Sequence, residues 1–146
     1  QMSLDLAKEL GAEATINAVE EDADAVLKNL TEGRGPDVVI DAAGAPQTPA
    51  NALTYVRRGG RVVLVAIFTS TPEFDFNSIV AQEKTVIGTI AYTRADVQAS
   101  VDLIASGKLQ TTPLITDQIN LDQVIDVGFK RMMAPTKDVF RILVKP

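Results

Sequence analysis

The stretch Gly33-Arg34-Gly35-Pro36-Asp37-Val38-Val39-Ile40-Asp41-Ala42-Ala43-Gly44 decides how this chain is read. Gly33, Gly35 and Pro36 resist helix and so end whatever helix precedes them. Val38-Val39-Ile40 is a continuous apolar run between two carboxylates, which suits a strand buried on both faces better than an alternating one. Ala42-Ala43-Gly44 then makes a small-residue turn. Immediately upstream, Ala23, Val26, Leu27 and Leu30 recur at i, i+3, i+4 and i+7, the stripe of an amphipathic helix, with Asp22 placed to cap it. Farther upstream, Ala14-Thr15-Ile16-Asn17 reads as a short strand before the acidic turn Glu20-Glu21-Asp22. Before that, Leu6 and Leu10 share a helix face that Gly11 stops.

Downstream the helix-then-strand rhythm repeats. Thr48 to Val56 predicts a helix with Ala52, Leu53 and Val56 turned inward, closed by Arg57-Arg58-Gly59-Gly60. Arg61 to Ile67 is the strongest strand in the sequence. A loop from Thr69 to Pro72 and a short helix around Phe76 to Ala81 lead to a strand from Lys84 to Tyr92. Strands alternating with short helices predict an α/β fold, a doubly wound parallel sheet covered on both faces and built by right-handed crossovers. The pattern changes after Tyr92. Thr93 to Asp96 has capping-box spacing before a helix carrying Val97, Val101 and Ile104, ended by Gly107. Pro113 opens a strand around Leu114 to Thr116, and Asn120 caps a helix with Val124, Val127, Gly128 and Met132 on its inner face. Val139 to Val144 is a terminal strand. A boundary near Tyr92 divides the chain into 1–91 and 92–146.

Composition bounds the chemistry. The 146 residues suffice for a domain that buries about 68–70% of its unfolded surface. The chain has no His and no Cys, which excludes a disulfide, a Cys/His zinc site, a Ser-His-Asp triad and a Cys-His pair within it. A net charge of −5 argues against nucleic acid and anionic membrane as partners. The longest fully apolar stretch, Val62 to Phe68, is far shorter than the roughly 20 residues of a spanning helix. The first residues lack a signal-peptide pattern and an initiator Met. They read as a cytoplasmic chain that begins inside a helix.

In a doubly wound sheet, ligands bind beyond the carboxyl ends of the strands. Two strand ends fit, Asp41-Ala42-Ala43-Gly44 and Val65-Ala66-Ile67-Phe68, and their small residues suit either a flat ligand such as a nucleotide or close packing of the next helix. No G-x-G-x-x-G phosphate turn is present: Gly33-Arg34-Gly35 enters a strand instead of leaving one. Gly59-Gly60 likewise precedes its strand and supplies positive φ angles. Asp37 and Asp41 mark the two wet ends of a strand and are not paired for acid–base work. The Glu20 to Asp24 acids lack the spacing of a calcium loop. Arg57-Arg58 with Arg61 suits a helix C-terminus, and Met132-Met133 suits the core and edge of a helix.

Taken in order, these segments resemble the C-terminal part of the medium-chain, zinc-type alcohol dehydrogenases, especially the polyol, threonine and butanediol dehydrogenase branch. The likeness runs through Leu6 to Ala12, Gly33 to Gly44, Val56 to Val65, Glu83 to Gly88, Leu103 to Lys108 and Pro113 to Thr116, and the ending Val127 to Pro146 is most similar to butanediol dehydrogenases. The resemblance implies an incomplete Rossmann-type doubly wound parallel sheet, later strands only, plus a C-terminal β-α-β return segment. Residues 1–91 would be the C-terminal part of the NAD(P)-binding domain, and 92–146 a return segment belonging to the catalytic domain of a parent enzyme. That parent would transfer hydride between a secondary alcohol or polyol and NAD or NADP, with zinc held only by a catalytic domain outside this chain. The chain alone would be inactive and would bind cofactor weakly or not at all.

The resemblance places Ala42, Ala43 and Gly44 at the ribose side of the cofactor, and Val65, Ala66 and Ile67 at the nicotinamide. It places Thr89, Ile90 and Ala91 at the carboxamide, and Arg141 at the pyrophosphate. It assigns no catalytic or metal residue to this chain. It also implies a homo-oligomer, with a dimer contact through the strand 85–92. In the order 3-2-1-4-5-6 the strand at 38–41 would expose an edge, to be covered by oligomerisation or by a shift of the 1–20 segment. Two other readings share the fold: a free-standing nucleotide-binding or interaction domain, and a zinc-free reductase of the same superfamily.

Overall fold

The computed structural model describes residues 2–136 and 138–146. Contacts divide the chain into two compact units, Ile16–Ala91 and the described residues on either side of it.

The first unit is α/β. A parallel sheet runs in the order β1 (Val38–Asp41), β2 (Arg61–Leu64), β3 (Thr85–Gly88). Its crossovers are α3 (Thr48–Tyr55) and α4 (Phe76–Ala81), while α2 (Ala23–Leu30) precedes β1. Asp22 caps α2, its side chain accepting from the N–H groups of Asp24 and Ala25, which satisfies two of the donors a helix start leaves free. Asp75 does the same for α4 through Asn77 N–H. Gly59 has φ +68, but Gly60 is demanded by space: a Cβ there would stand 2.6 Å from Val56 Cγ2 and 2.9 Å from Arg57 O.

Alternate strand residues face α3 and α4. Ala52, Leu53, Val56 and Val62 form the buried core, with Val39, Leu64, Phe74, Ile79 and Val86 packed against it. On the opposite face Ile40 is 64% exposed and Ile87 42% exposed. The register aligns Ile40, Val63 and Ile87 in a row on that face, with Val63 half-buried.

Three strand expectations also change. Residues 14–17 join no ladder among the described residues. Asn17 instead opens a turn, its carbonyl accepting from the N–H groups of Glu20 and Glu21. β2 stops at Leu64: Val65 N–H makes one more ladder bond to Asp41 O, and Ala66 N–H then bonds that same carbonyl instead of continuing the alternation. β3 spans four residues of the expected nine, and Thr89 N–H adds one more bond to Leu64 O.

In the second unit, α1 (Met2–Glu9) ends at Gly11, which has φ +103. Helix α5 (Arg94–Ala105) starts on the capping box of Thr93 and Asp96. Its expected inner residues Val97, Val101 and Ile104 are 46–51% exposed. β4 (Ile115–Asn120) pairs in parallel with β5 (Arg141–Lys145). β4 begins one residue later and runs farther than expected, so Asn120 both ends the strand and caps the next turn. That helix is not a plain α-helix. A 3₁₀ turn, Leu121–Gln123, leads into a π-helical segment, Val124–Phe129, before α6 (Lys130–Met132). Gly128 lies against Ile119, where a Cβ would come within 3.1 Å of its Cδ1. Met132 and Met133, expected at the core and edge of a helix, are 60% and 82% exposed.

No helix among the described residues is long and apolar enough to cross a membrane.

Candidate functional site

Asp41, Leu64 and Gly88 stand in register across the sheet, so the segments that follow them leave at one level. Ala42–Gly44, Val65–Ile67 and Thr89–Ala91 therefore collect at the carboxyl ends of β1, β2 and β3. Arg141, the first residue of β5, is exposed and belongs to the other compact unit.

Asp41 organises this end. It is 5% exposed, and its Oδ1 accepts from Ala43 N–H at 3.0 Å and Gly44 N–H at 3.3 Å. The Thr48 hydroxyl donates to its Oδ2 at 2.7 Å. Both carboxylate oxygens are engaged by the turn that leads into α3, which converts a buried charge from a cost into a template for backbone shape. The expectation that Asp41 marks a wet strand end is corrected: following small residues and a hydroxyl seven positions on give it internal partners. Asp37 does stay exposed, just before β1, in an ion pair with Arg57. The Arg57 guanidinium, by hydrogen bond and charge, holds the Asp37 carboxyl below the usual aspartate value.

Gly44 joins two of the three segments. Its φ is +70, and a Cβ would lie 3.0 Å from both Ala66 Cβ and Ile67 O. The turn after β1 thus leans directly on the backbone after β2. Ala91, after β3, also adopts a positive φ of +56. Beside the end of β1, a cavity of about 360 Å³ is lined by Ile16, Ala23, Leu27 and Val39 together with Ala42 and Ala43. Val65, Ile67 and Ile90 are 46%, 78% and 78% exposed.

Across residues 41–48, 65–70 and 89–91 the lone ionisable side chain is Asp41, and it is bonded within its own turn. The strand ends consequently present backbone groups, small residues and apolar side chains. This suits a flat ring better than a pyrophosphate, which needs donors and positive charge. Arg57 and Arg58 lie at the opposite end of the sheet, paired with Asp37 and Glu83, and Arg61 begins β2 there. For zinc the residues do not fit: the chain has no His or Cys, and among the described residues no group of three or more acids could hold a metal ion.

Sequence reasoning missed Asp41 and Thr48 as the pair that shapes the turn. The signal was an Asp at a strand end with two small residues and a Thr in the next seven positions, the pattern of a side chain that bonds its own following backbone.

The sequence profile of zinc-binding dehydrogenases matches residues 1–106. Sorbitol dehydrogenase of Bacillus subtilis is 33% identical over 99% of this chain and 41% of its own length. The crystal structure of 2R,3R-butanediol dehydrogenase from Bacillus subtilis superposes with a TM-score of 0.84 at 32% identity, over 96% of this chain and 40% of that one. An NADP-bound zinc-binding dehydrogenase from Sinorhizobium meliloti gives 0.85 at 27% identity, over 99% and 42%. The chain spans about two fifths of the length of these relatives. Matched by a family profile over more than two thirds of its residues, it belongs to the zinc-binding dehydrogenase family.

Proposed function

We propose that this chain is the later part of an NAD(P)-linked alcohol or polyol dehydrogenase. In this reading residues 1–91 belong to the cofactor domain and 92–146 form a return segment toward a catalytic domain outside the chain. The observation that carries the proposal is the junction of two strand ends at Gly44, where the turn after β1 meets Ala66 and Ile67 without an intervening side chain. Such a surface lets a flat ring approach the backbone.

Ala42, Ala43 and Gly44 would meet the ribose side of the cofactor. Val65, Ala66 and Ile67 would form an apolar wall against the nicotinamide, and Thr89, Ile90 and Ala91 would offer backbone groups to its carboxamide. Arg141 would reach the pyrophosphate in the parent. A bound dinucleotide would supply the hydride acceptor for oxidation of a secondary alcohol to a ketone, held against these three strand ends. The residues here orient the ring and exclude water from one of its faces.

With neither zinc ligands nor a phosphate turn of its own, the isolated chain turns over no alcohol and binds NADH weakly. We also assign it to the cytoplasm. The parent would be a homo-oligomer with its dimer contact through the strand 85–92. Calorimetry of the chain with NADH tests the cofactor reading, and micromolar affinity overturns the view that the phosphate turn is indispensable. Assay of a longer product of the same gene with butanediol and NAD, before and after zinc chelation, tests the activity. No turnover before chelation removes the alcohol dehydrogenase reading.

A further inference from the structure

On the outer side of α3, away from the strand ends, Lys84 is 7% exposed. A lysine this buried is almost always paired, yet it makes no ion pair among the described residues. Its ammonium donates to Leu53 O near the C-terminal end of α3, which engages one of three N–H donors. Burial pushes its pKa below the usual lysine value, the mark of a charge short of compensation.

Lys84 lines a cavity of about 350 Å³ whose walls include Leu53, Phe74, Asp75, Ser78 and Gln82. Leu53 and Phe74 make one part of the wall apolar. Asp75 is occupied as the cap of α4, where it accepts from Asn77 N–H at 2.8 Å, but its negative charge remains at the rim and disfavours a dianion. A space of this size with one buried cation, apolar walls and a single peripheral carboxylate suits a small monocarboxylate with an apolar body.

We propose that this cavity is a binding site for small aromatic or branched carboxylic acids, with the ligand carboxylate on the Lys84 ammonium and its apolar body against Leu53 and Phe74. The site is separate from the strand ends and needs neither zinc nor dinucleotide.

Amide NMR of the chain titrated with benzoate tests it, with benzyl alcohol and inorganic phosphate as comparison probes. The expected result is saturable shifts at Leu53, Thr54, Phe74 and Lys84 with benzoate, and affinities at least about tenfold weaker for the alcohol and for phosphate. Lys84→Met should weaken benzoate by about tenfold or more. Ser78→Phe, which fills the cavity and leaves the ammonium in place, should do the same, and it decides the matter if the Lys84 variant does not fold. Absence of saturable shifts at these residues, phosphate binding more tightly than benzoate, or benzoate affinity unchanged in Ser78→Phe each overturns the proposal.

Discussion

Gly44 shows what a single residue decides here. At φ +70 an L side chain is strained, and the Cβ would also press on Ala66 and Ile67 at 3.0 Å. Gly44→Ala is expected to cost about 1–3 kcal/mol, read as a lower urea midpoint. An unchanged midpoint would mean that the two turns separate freely. Asp37 and Lys84 both make stability rise with pH, in different pH windows and for different reasons. Arg57 lowers the folded-state pKa of Asp37 below its unfolded value, so the stability it contributes is present above that unfolded value and is lost as pH falls through the folded one. Arg57→Gln should therefore flatten the acid limb of a urea-midpoint profile below about pH 4. Desolvation lowers the folded-state pKa of Lys84. Between that lowered value and the unfolded one the unfolded chain binds more protons, so stability rises with pH there. The wild type should gain urea resistance relative to Lys84→Met as pH rises toward the ordinary lysine value of about 10.4, and parallel profiles for the two proteins would refute this.

Among the elements, α5 is the most self-sufficient. Its twelve residues begin on a reciprocal cap in which Thr93 N–H and hydroxyl donate to Asp96 at 2.7 Å, while Asp96 N–H donates to Thr93 Oγ1. Those bonds hold the Asp96 carboxyl below its usual pKa. Thr93→Ala should cost about 1 kcal/mol, measured as lost helical circular dichroism and a lower thermal midpoint, and no change would show that packing alone sets this helix start. Caps and breakers of this kind were legible in the sequence because their bonds are local: Asp22, Thr93, Gly11 and Gly107 stand where expected. Strand ends were less legible. A ladder stops where the alternation of its bonds breaks, as Ala66 N–H shares the Asp41 carbonyl already bonded by Val65, and apolar Val65 and Ile67 announce nothing of that. The π segment at Val124–Phe129 was equally hidden, since it depends on Gly128 meeting Ile119 on another element.

At the scale of the whole chain, the first sheet carries exposed apolar side chains and two edge strands. Ile40 and Ile87 are exposed on one face, and β1 and β3 each present a free edge in the three-stranded order. Unpaired edges and apolar rows favour association. Light scattering with size exclusion should show a concentration-dependent oligomer. Ile87→Lys, which places a charge in that row, should shift it toward monomer, and a well-folded wild-type monomer at high concentration would count against the dimer contact through 85–92. By itself the sequence determined the α/β rhythm, the family, and the lack of His and Cys ligands, because periodicity, composition and ordered motifs are properties of the chain. Tertiary structure alone decided that Asp41 is buried and shapes a turn, that Gly44 joins two strand ends, and that Lys84 is an enclosed charge. Each depends on partners distant along the chain or on burial, and a one-dimensional pattern does not specify which groups water can still reach.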